Sequence, residues 1–306
     1  SLKNKKKICD LNISVFNNKE AKYTTIQRFT LINFLKNRLP DNLINYNKKV
    51  SQIDYEGDSI VVTFENSASI KCDYLVISDG IFSKSKSLIA KREIKPKYFK
   101  SIALRATIDS DSLLGIDPSN ISLSLGSNLH SVSYPIDNRG QFNFISILRK
   151  KLSNRELSDY SLFERGDFVS SILSEISKQV DRDIIKNLKN ISCFPVFVNS
   201  EIYQPVNKNI FLIGDAFFAF PPTFAQGASQ SIEVAYELYK NLENFTHGFN
   251  HERIKRTKMI DRKSKFNYFV FHLSNPLLIW IRNTLMKYLV KNNKFINSYL
   301  GKIYKN

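Results

Sequence analysis

One segment constrains this chain more than any other: Asn209 to Glu237, NIFLIGDAFFAFPPTFAQGASQSIEVAYE. The run Ile210 to Ile213 has the character of a short buried strand. It ends in Gly214-Asp215. A loop with Pro221-Pro222 follows, and Gln226-Gly227-Ala228-Ser229 opens a helix over 226–244 that carries Ile232, Ala235, Leu238 and Leu242 on one side. Gly214 lets the backbone leave the strand and approach another group closely. Asp215, at a strand's C-terminal end, can accept hydrogen bonds from the hydroxyls of a sugar or polyol. The helix start offers N–H groups without intrahelical partners and the positive end of a dipole. Gly227 removes side-chain bulk there, so a flat ring can lie against the amides. The residues describe a site for a polyol-bearing ligand whose far end acquires negative charge. A plain strand–turn–helix corner with an aspartate accounts for the same spacing.

The rest of the chain reads as an α/β part interrupted by an antiparallel block and then resumed. Residues 23–39 have a helical stripe of Ile26, Phe29, Leu31, Ile32, Phe34, Leu35 and Leu39, with Thr24-Thr25 as cap and Pro40 as stop. Val50 to Tyr55 and Ser59 to Phe64 form a hairpin around Glu56-Gly57-Asp58. Ser69 to Asp73 leads into Tyr74 to Ile77, an apolar run expected to be buried on both faces. Ser101 to Ile108, Ile121 to Leu125, Ser131 to Ile136 and Gln141 to Leu148 are antiparallel strands, with Asn138-Arg139-Gly140 as a turn. Residues 154–190 are expected to be helical. So are 250–300, with a break at Asn275-Pro276.

The segment 209–237 resembles the second FAD motif of the p-hydroxybenzoate hydroxylase-like flavoprotein monooxygenases, roughly G-D-A-A-H-x-x-x-P-x-x-G-Q-G-x-N followed by E-D. Gly214, Asp215, Ala216, Pro222, Gln226, Gly227 and Glu233 match. Phe217, Phe218, Ala225, Ser229 and Val234 depart from it. Tyr74 to Lys86, YLVISDGIFSKSK, resembles the family's strand followed by D-G-x-x-S-x-x-R. Asp79, Gly80 and Ser83 match, and Lys86 keeps the charge of the usual Arg without its bidentate fork. Arg28 with Leu31 and Leu35 is similar to the family's R-x-x-L-x-x-x-L helix, and an amphipathic surface helix explains the same residues. Tyr134-Pro135-Ile136, Asn143 and Arg282-Asn283 resemble the salicylate hydroxylase-like branch.

The resemblance implies a Rossmann-like FAD/NAD(P)-binding domain interleaved with an antiparallel-sheet substrate domain and a C-terminal helical segment. The divisions expected are 1–94 and 191–245 for the FAD-binding domain, 95–190 for the substrate domain and 246–306 for the helices. It implies FAD as cofactor, NADPH or NADH as co-substrate, and O₂. The reaction implied is hydroxylation of a small phenolic or aromatic acid through a flavin C4a-hydroperoxide, the hard chemistry belonging to the cofactor. Gly214, Asp215, Pro222, Gln226, Gly227, Ala228, Ser229, Arg28, Asp79 and Gly80 would hold the flavin. Tyr134, Phe224 and His130 are candidates for the substrate wall, and each also reads as a core residue. No residue stands out as catalytic base. The family's G-x-G-x-x-G unit, which cradles the pyrophosphate, has no counterpart here. A chain truncated by roughly 70–100 residues is expected on that ground. Two alternatives stay open: a ubiquinone-biosynthesis-type hydroxylase of a polyprenylated ring at the membrane, and a non-catalytic remnant or flavin-binding scaffold.

Composition bounds the partners. The net charge of +17 over 306 residues comes from lysines spread along the whole chain, the densest runs being Lys3 to Lys7 and Arg253 to Lys265. Spread charge is general basicity, so no nucleic-acid partner is expected. A weak attraction to anionic membranes stays open, with the apolar but interrupted stretch Phe266 to Val290 as a peripheral contact. Cys9, Cys72 and Cys193 have neither metal nor disulfide spacing, which fits a cytoplasmic compartment.

Overall fold

The computed structural model describes residues 1–2, 6–17, 23–109, 120–136, 140–242 and 248–304. Ten strands are described: β1 Val50–Glu56, β2 Ser59–Phe64, β3 Ser69–Cys72, β4 Leu75–Ile77, β5 Lys97–Asp109, β6 Ser122–Leu125, β7 Leu129–Pro135, β8 Gln141–Arg149, β9 Lys189–Val198 and β10 Ile210–Leu212. The α-helices that matter here are α1 Arg28–Lys36, α2 Lys84–Ala90, α3 Asn154–Ser158, α4 Gly166–Ser177, α5 Arg182–Lys186, α6 Gly214–Phe217, α7 Gly227–Asn241, α8 Gly248–Phe271 and α9 Pro276–Leu289. The chain divides into two compact units, one of residues 1–38, 100–196 and 269–306, the other of 39–99 and 197–268.

The first unit is built on a five-stranded sheet in the order β6-β7-β8-β5-β9. β8 pairs antiparallel with β5 from Ser101↔Arg149 to Asp109↔Gln141 and with β7 from Leu129↔Leu148 to Pro135↔Phe142. Alternation puts Ile102, Leu104 and Ile108 of β5 and Phe142 and Phe144 of β8 in one core. Phe168, Ile172 and Ile176, four apart on α4, join it. The expected 154–190 helix is divided into α3, a 3₁₀ turn at Tyr160–Glu164, α4 and α5. Ser153 and Glu156 form a capping box at the start of α3, Asp159 caps the 3₁₀ turn, Asp181 caps α5, and Lys189 already begins β9. β9 lies at the sheet's edge, the place in a sheet where a proline such as Pro195 is tolerated. Asn138 and Arg139 of the expected turn lie outside the described residues; Gly140 has φ +80°.

Helix α1 is shorter than the 23–39 stripe suggests. Its N-cap is Gln27, because the Thr25 hydroxyl donates instead to the Pro135 carbonyl (2.8 Å). Phe29, Ile32, Phe34 and Leu35 are exposed.

The second unit holds the β1-β2-β3 meander and a parallel pair, β4 with β10. The hairpin loop is Gly57-Asp58, with Gly57 at φ +61°. Ile60, Val62, Phe64, Ile77, Ile210, Leu212 and Ala216 form its core. β4 is paired in register Leu75↔Ile210 to Ile77↔Leu212. It is buried on one side only: Ile77 is enclosed, whereas Val76 and Tyr74 are exposed, against the expectation of two covered faces.

Candidate functional site

The two motif segments meet in the second unit. Parallel pairing of β4 with β10 sets the loops that leave their C-terminal ends side by side. Each loop then turns into a helix. Asp79 uses its carboxylate on its own loop: Oδ2 accepts from the Ser85 amide (3.1 Å), while Ser83 Oγ accepts from the Lys86 amide (2.9 Å), so together they cap α2. Gly80 sits at φ +85°, a conformation glycine tolerates best.

Lys86 ties the segments together. Its side chain is 1% exposed, and Nζ donates to the Ala216 carbonyl at 3.0 Å, across 130 positions of sequence. Burial lowers the ammonium pKa, partly opposed by Asp79 and Glu201. A single point donor suffices for this contact, which is why a lysine serves where the family pattern has arginine.

Gly214 leaves β10 at φ +57°, and a side chain there would come within 3.0 Å of Ser231 Oγ on α7. The glycine therefore lets α6 and α7 pack closely. It also brings Asp215 to the start of α7: a Cβ added to Gly227 would meet Asp215 Oδ1 at 4.0 Å and no nearer atom. Gln226 is the N-cap, and its own side chain makes no capping hydrogen bond. The amides of Gly227, Ala228 and Ser229 thus open α7 beside a carboxylate, and these three residues are exposed. Pro222 is exposed and Phe224 half-buried in the loop before them.

Gln226 itself faces inward. Gln230 Nε2 donates to Gln226 Oε1 (3.2 Å) and Glu233 Oε2 (2.9 Å). Arg253, on α8 and 5% exposed, donates from Nη2 to the Gln230 carbonyl (3.0 Å) and Oε1 (2.8 Å), and from Nη1 to Glu233 Oε1 (2.7 Å). Arg256 adds a bond to Glu233 Oε2 (2.7 Å). Burial pushes the Glu233 carboxyl up, but hydrogen bonds and charge from Arg256 and Arg253 outweigh it and hold it below the usual range. This network locks the first turns of α7. Sequence reading assigned Arg253 to a generally basic run; its side chain is instead an internal fastening. Phe218 and Val234, both departures from the family pattern, are buried and line one crevice with Gly214, Phe217 and Phe220, which accounts for their apolar character.

Ala225, where the family has glycine, occupies φ +52°. An L side chain there is strained by about 1–2 kcal/mol. Ala225→Gly is expected to raise stability by roughly 0.5–1 kcal/mol once the larger unfolded-state entropy of glycine is subtracted. A urea midpoint that rises at unchanged slope would show it; an unchanged or lower midpoint would mean that the strain is absent.

The other anticipated residues lie in the first unit. Arg28 opens α1 and is exposed. Tyr134 is half-buried on β7 opposite Asn143, and burial raises its pKa. His130 is 1% exposed: its Nδ1 lies 3.0 Å from His272 Nε2, itself 3.1 Å from the Ile147 carbonyl. It faces packed protein, not a cavity.

Residues 49–264 match the model of the family described as FAD binding domain. The chain belongs to that family. Among relatives of this FAD binding domain, salicylate hydroxylase of Pseudomonas putida is 24% identical over 248 residues, 72% of this chain and 54% of the relative. The 3-amino-4-hydroxybenzoate 2-monooxygenase of Streptomyces platensis is 23% identical, covering 83% of the chain and 65% of the relative. The chain thus spans between half and two thirds of the length of these curated relatives. In fold it is similar to Klebsiella pneumoniae HpxO complexed with FAD and uric acid, with a TM-score of 0.72 at 14% identity over 90% of this chain and 71% of that one. It is also similar to a salicylate hydroxylase substrate complex, at 0.69 and 17% over 87% and 73%.

The residues present fit FAD at the flavin end. A carboxylate suited to ribityl hydroxyls stands beside helix-start amides suited to an anionic ring, and Gly227 adds no side chain there.

Proposed function

We propose that the protein containing this chain is an FAD-dependent monooxygenase that hydroxylates a small phenolic or aromatic acid, with NADPH or NADH as electron donor and O₂ as oxidant. The observation that carries the reading is the meeting of Asp215 with the amide-rich start of α7. The relatives support the substrate class, since their names specify salicylate, 3-amino-4-hydroxybenzoate and 6-hydroxynicotinate, all ring acids.

When bound, FAD supplies the redox and oxygen chemistry. The chain's own residues bind and orient. Asp215 would accept hydrogen bonds from the ribityl hydroxyls. The amides of Gly227, Ala228 and Ser229 would stabilise negative charge on the bound ring without reorganising. Gly214 and Gly227 keep the approach clear. Pro222 and Phe224, in the loop before α7, would shield the bound ring from water. Lys86 holds the Asp215 turn through the Ala216 carbonyl. Asp79 and Gly80 would shape the loop beside the cofactor. Tyr134 is proposed for the substrate wall; His130, buried against His272, is left out of it.

The test uses the full-length protein. It is expected to purify yellow and to oxidise NADPH or NADH faster when an aromatic acid is added. Asp215→Ala should weaken flavin binding about 10–100-fold, the value of a lost charge-assisted hydrogen bond. A folded but colourless full-length protein would mean a scaffold without cofactor, and flavin retention unaffected by Asp215→Ala would remove this residue from the site.

A further inference from the structure

Helix α9 is held with its apolar face outward. Asn275 caps it, its Oδ1 accepting from the amides of Leu277 (2.9 Å) and Leu278 (3.2 Å), and Pro276 occupies the first turn. The buried Arg282 fastens one side by donating from Nη1 to the Val270 carbonyl (3.2 Å). At about 100° per residue, Trp280, Leu277, Tyr288, Ile281, Leu285 and Leu278 then fall on one arc of roughly 160°. All six are exposed, Leu277 by 64%, Trp280 by 65% and Tyr288 by 71%. A soluble helix normally turns such an arc toward the core.

Charge identifies what covers it. After Asp261 the sequence contains nine lysines and arginines and no aspartate or glutamate. Lys287, at the edge of the arc beside Trp280, and Lys291 and Lys294, just past the helix end, are all exposed. An apolar face carrying Trp and Tyr, with only cations among the charged residues of its own helix and of the segment after it, has the chemistry of an interfacial helix on anionic lipid. No helix among the described residues is long and apolar enough to cross a membrane, so the contact is peripheral. A second copy of the same surface would bring like charges together around the apolar patch, which disfavours a dimer there.

We propose that α9 docks the protein on an anionic membrane surface, with Trp280, Leu277, Ile281, Leu285 and Tyr288 entering the headgroup region and Lys287, Lys291 and Lys294 pairing with lipid phosphates. The inference rests on α9 alone and is independent of the flavin reading, because flavin retention is measured separately on the same preparation.

The experiment is flotation of the full-length protein with vesicles of equal parts phosphatidylcholine and phosphatidylglycerol. Trp280, the only tryptophan in this sequence, serves as reporter, with Trp280→Phe as its control. Flotation with these vesicles and not with phosphatidylcholine alone, reversal by high salt, and a blue shift of the Trp280 emission are expected. Replacing Lys287, Lys291 and Lys294 together by Gln should weaken partitioning on the order of a hundredfold. Leu277→Ser with Leu285→Ser should abolish it. These side chains are exposed, so unchanged circular dichroism is the check on folding. No flotation with anionic vesicles overturns the proposal. So does flotation that survives both sets of substitutions, or a Trp280 already shielded in a soluble oligomer that the leucine substitutions dissociate.

Discussion

Acidification from pH 7 to pH 5 should remove about 4 kcal/mol of stability, close to 2 kcal/mol for each of two histidines. His130 and His272 are both 1% exposed and in contact. The Ile147 carbonyl can only accept, so His272 Nε2 carries a hydrogen, and the same hydrogen faces His130 Nδ1. One proton serves both contacts, and a second would set N–H against N–H. Burial, and then the neighbouring His272, pushes the His130 pKa down to about 3; burial and Arg149 push His272 down to about 4. The sign follows from linkage. Above the unfolded value near 6.5 both rings are neutral in either state and nothing is lost. Between about 6.5 and 4 the unfolded chain takes up protons that the folded one refuses, so stability falls with pH. Urea unfolding at a series of pH values measures this, in a window where carboxylates are still ionised. His272→Gln should remove about half of the slope. A flat profile, or one the substitution leaves untouched, would show that the pair is not buried neutral.

Arg253→Met should destabilise the protein by about 3 kcal/mol, the lower part of the range for removing one partner of a buried ion pair, because Arg256 still serves Glu233. Gln230 would lose both the bond to its carbonyl and the one to its side chain. The same substitution should loosen flavin binding, since Gln226 and the first turn of α7 are fastened through Gln230. Arg253→Lys keeps the charge but not the planar fork that serves four acceptors, on Gln230, Glu233 and Glu237, so it should recover only part of the loss. Thermal unfolding together with flavin titration would test both effects. A cost below about 1 kcal/mol would place the network on a par with surface ion pairs.

The nearness of Asp215 to Gly227 was legible from sequence because a strand, a short loop and a helix start leave little freedom over a dozen residues. So were the strands β1, β2, β7 and β8, whose alternation is local. Long-range meetings were not legible. Nothing near His130 announces His272, 142 positions away. Nothing in the run Arg253 to Lys265 separates Arg253, which is buried, from neighbours that are not. Ala225 hides its positive φ behind a residue type that gives no sign of it. The stripe of α1 signalled a helix correctly, but periodicity reports which face is apolar and not whether anything covers it. β9 escaped because Pro195 argues against a strand unless its edge position is known.

The ladder between β4 and β10 has a kinetic consequence. Leu75 to Ile77 meet Ile210 to Leu212 only after the intervening chain has found its place. Closing so long a loop costs entropy that three short-range ladder steps cannot repay alone. Strands of the meander and the β6-β7-β8 part of the antiparallel sheet, which pair with near neighbours in sequence, are free to zip first. The Asp215 turn is therefore expected to form after these strands, and a ligand bound there would favour the closed ladder.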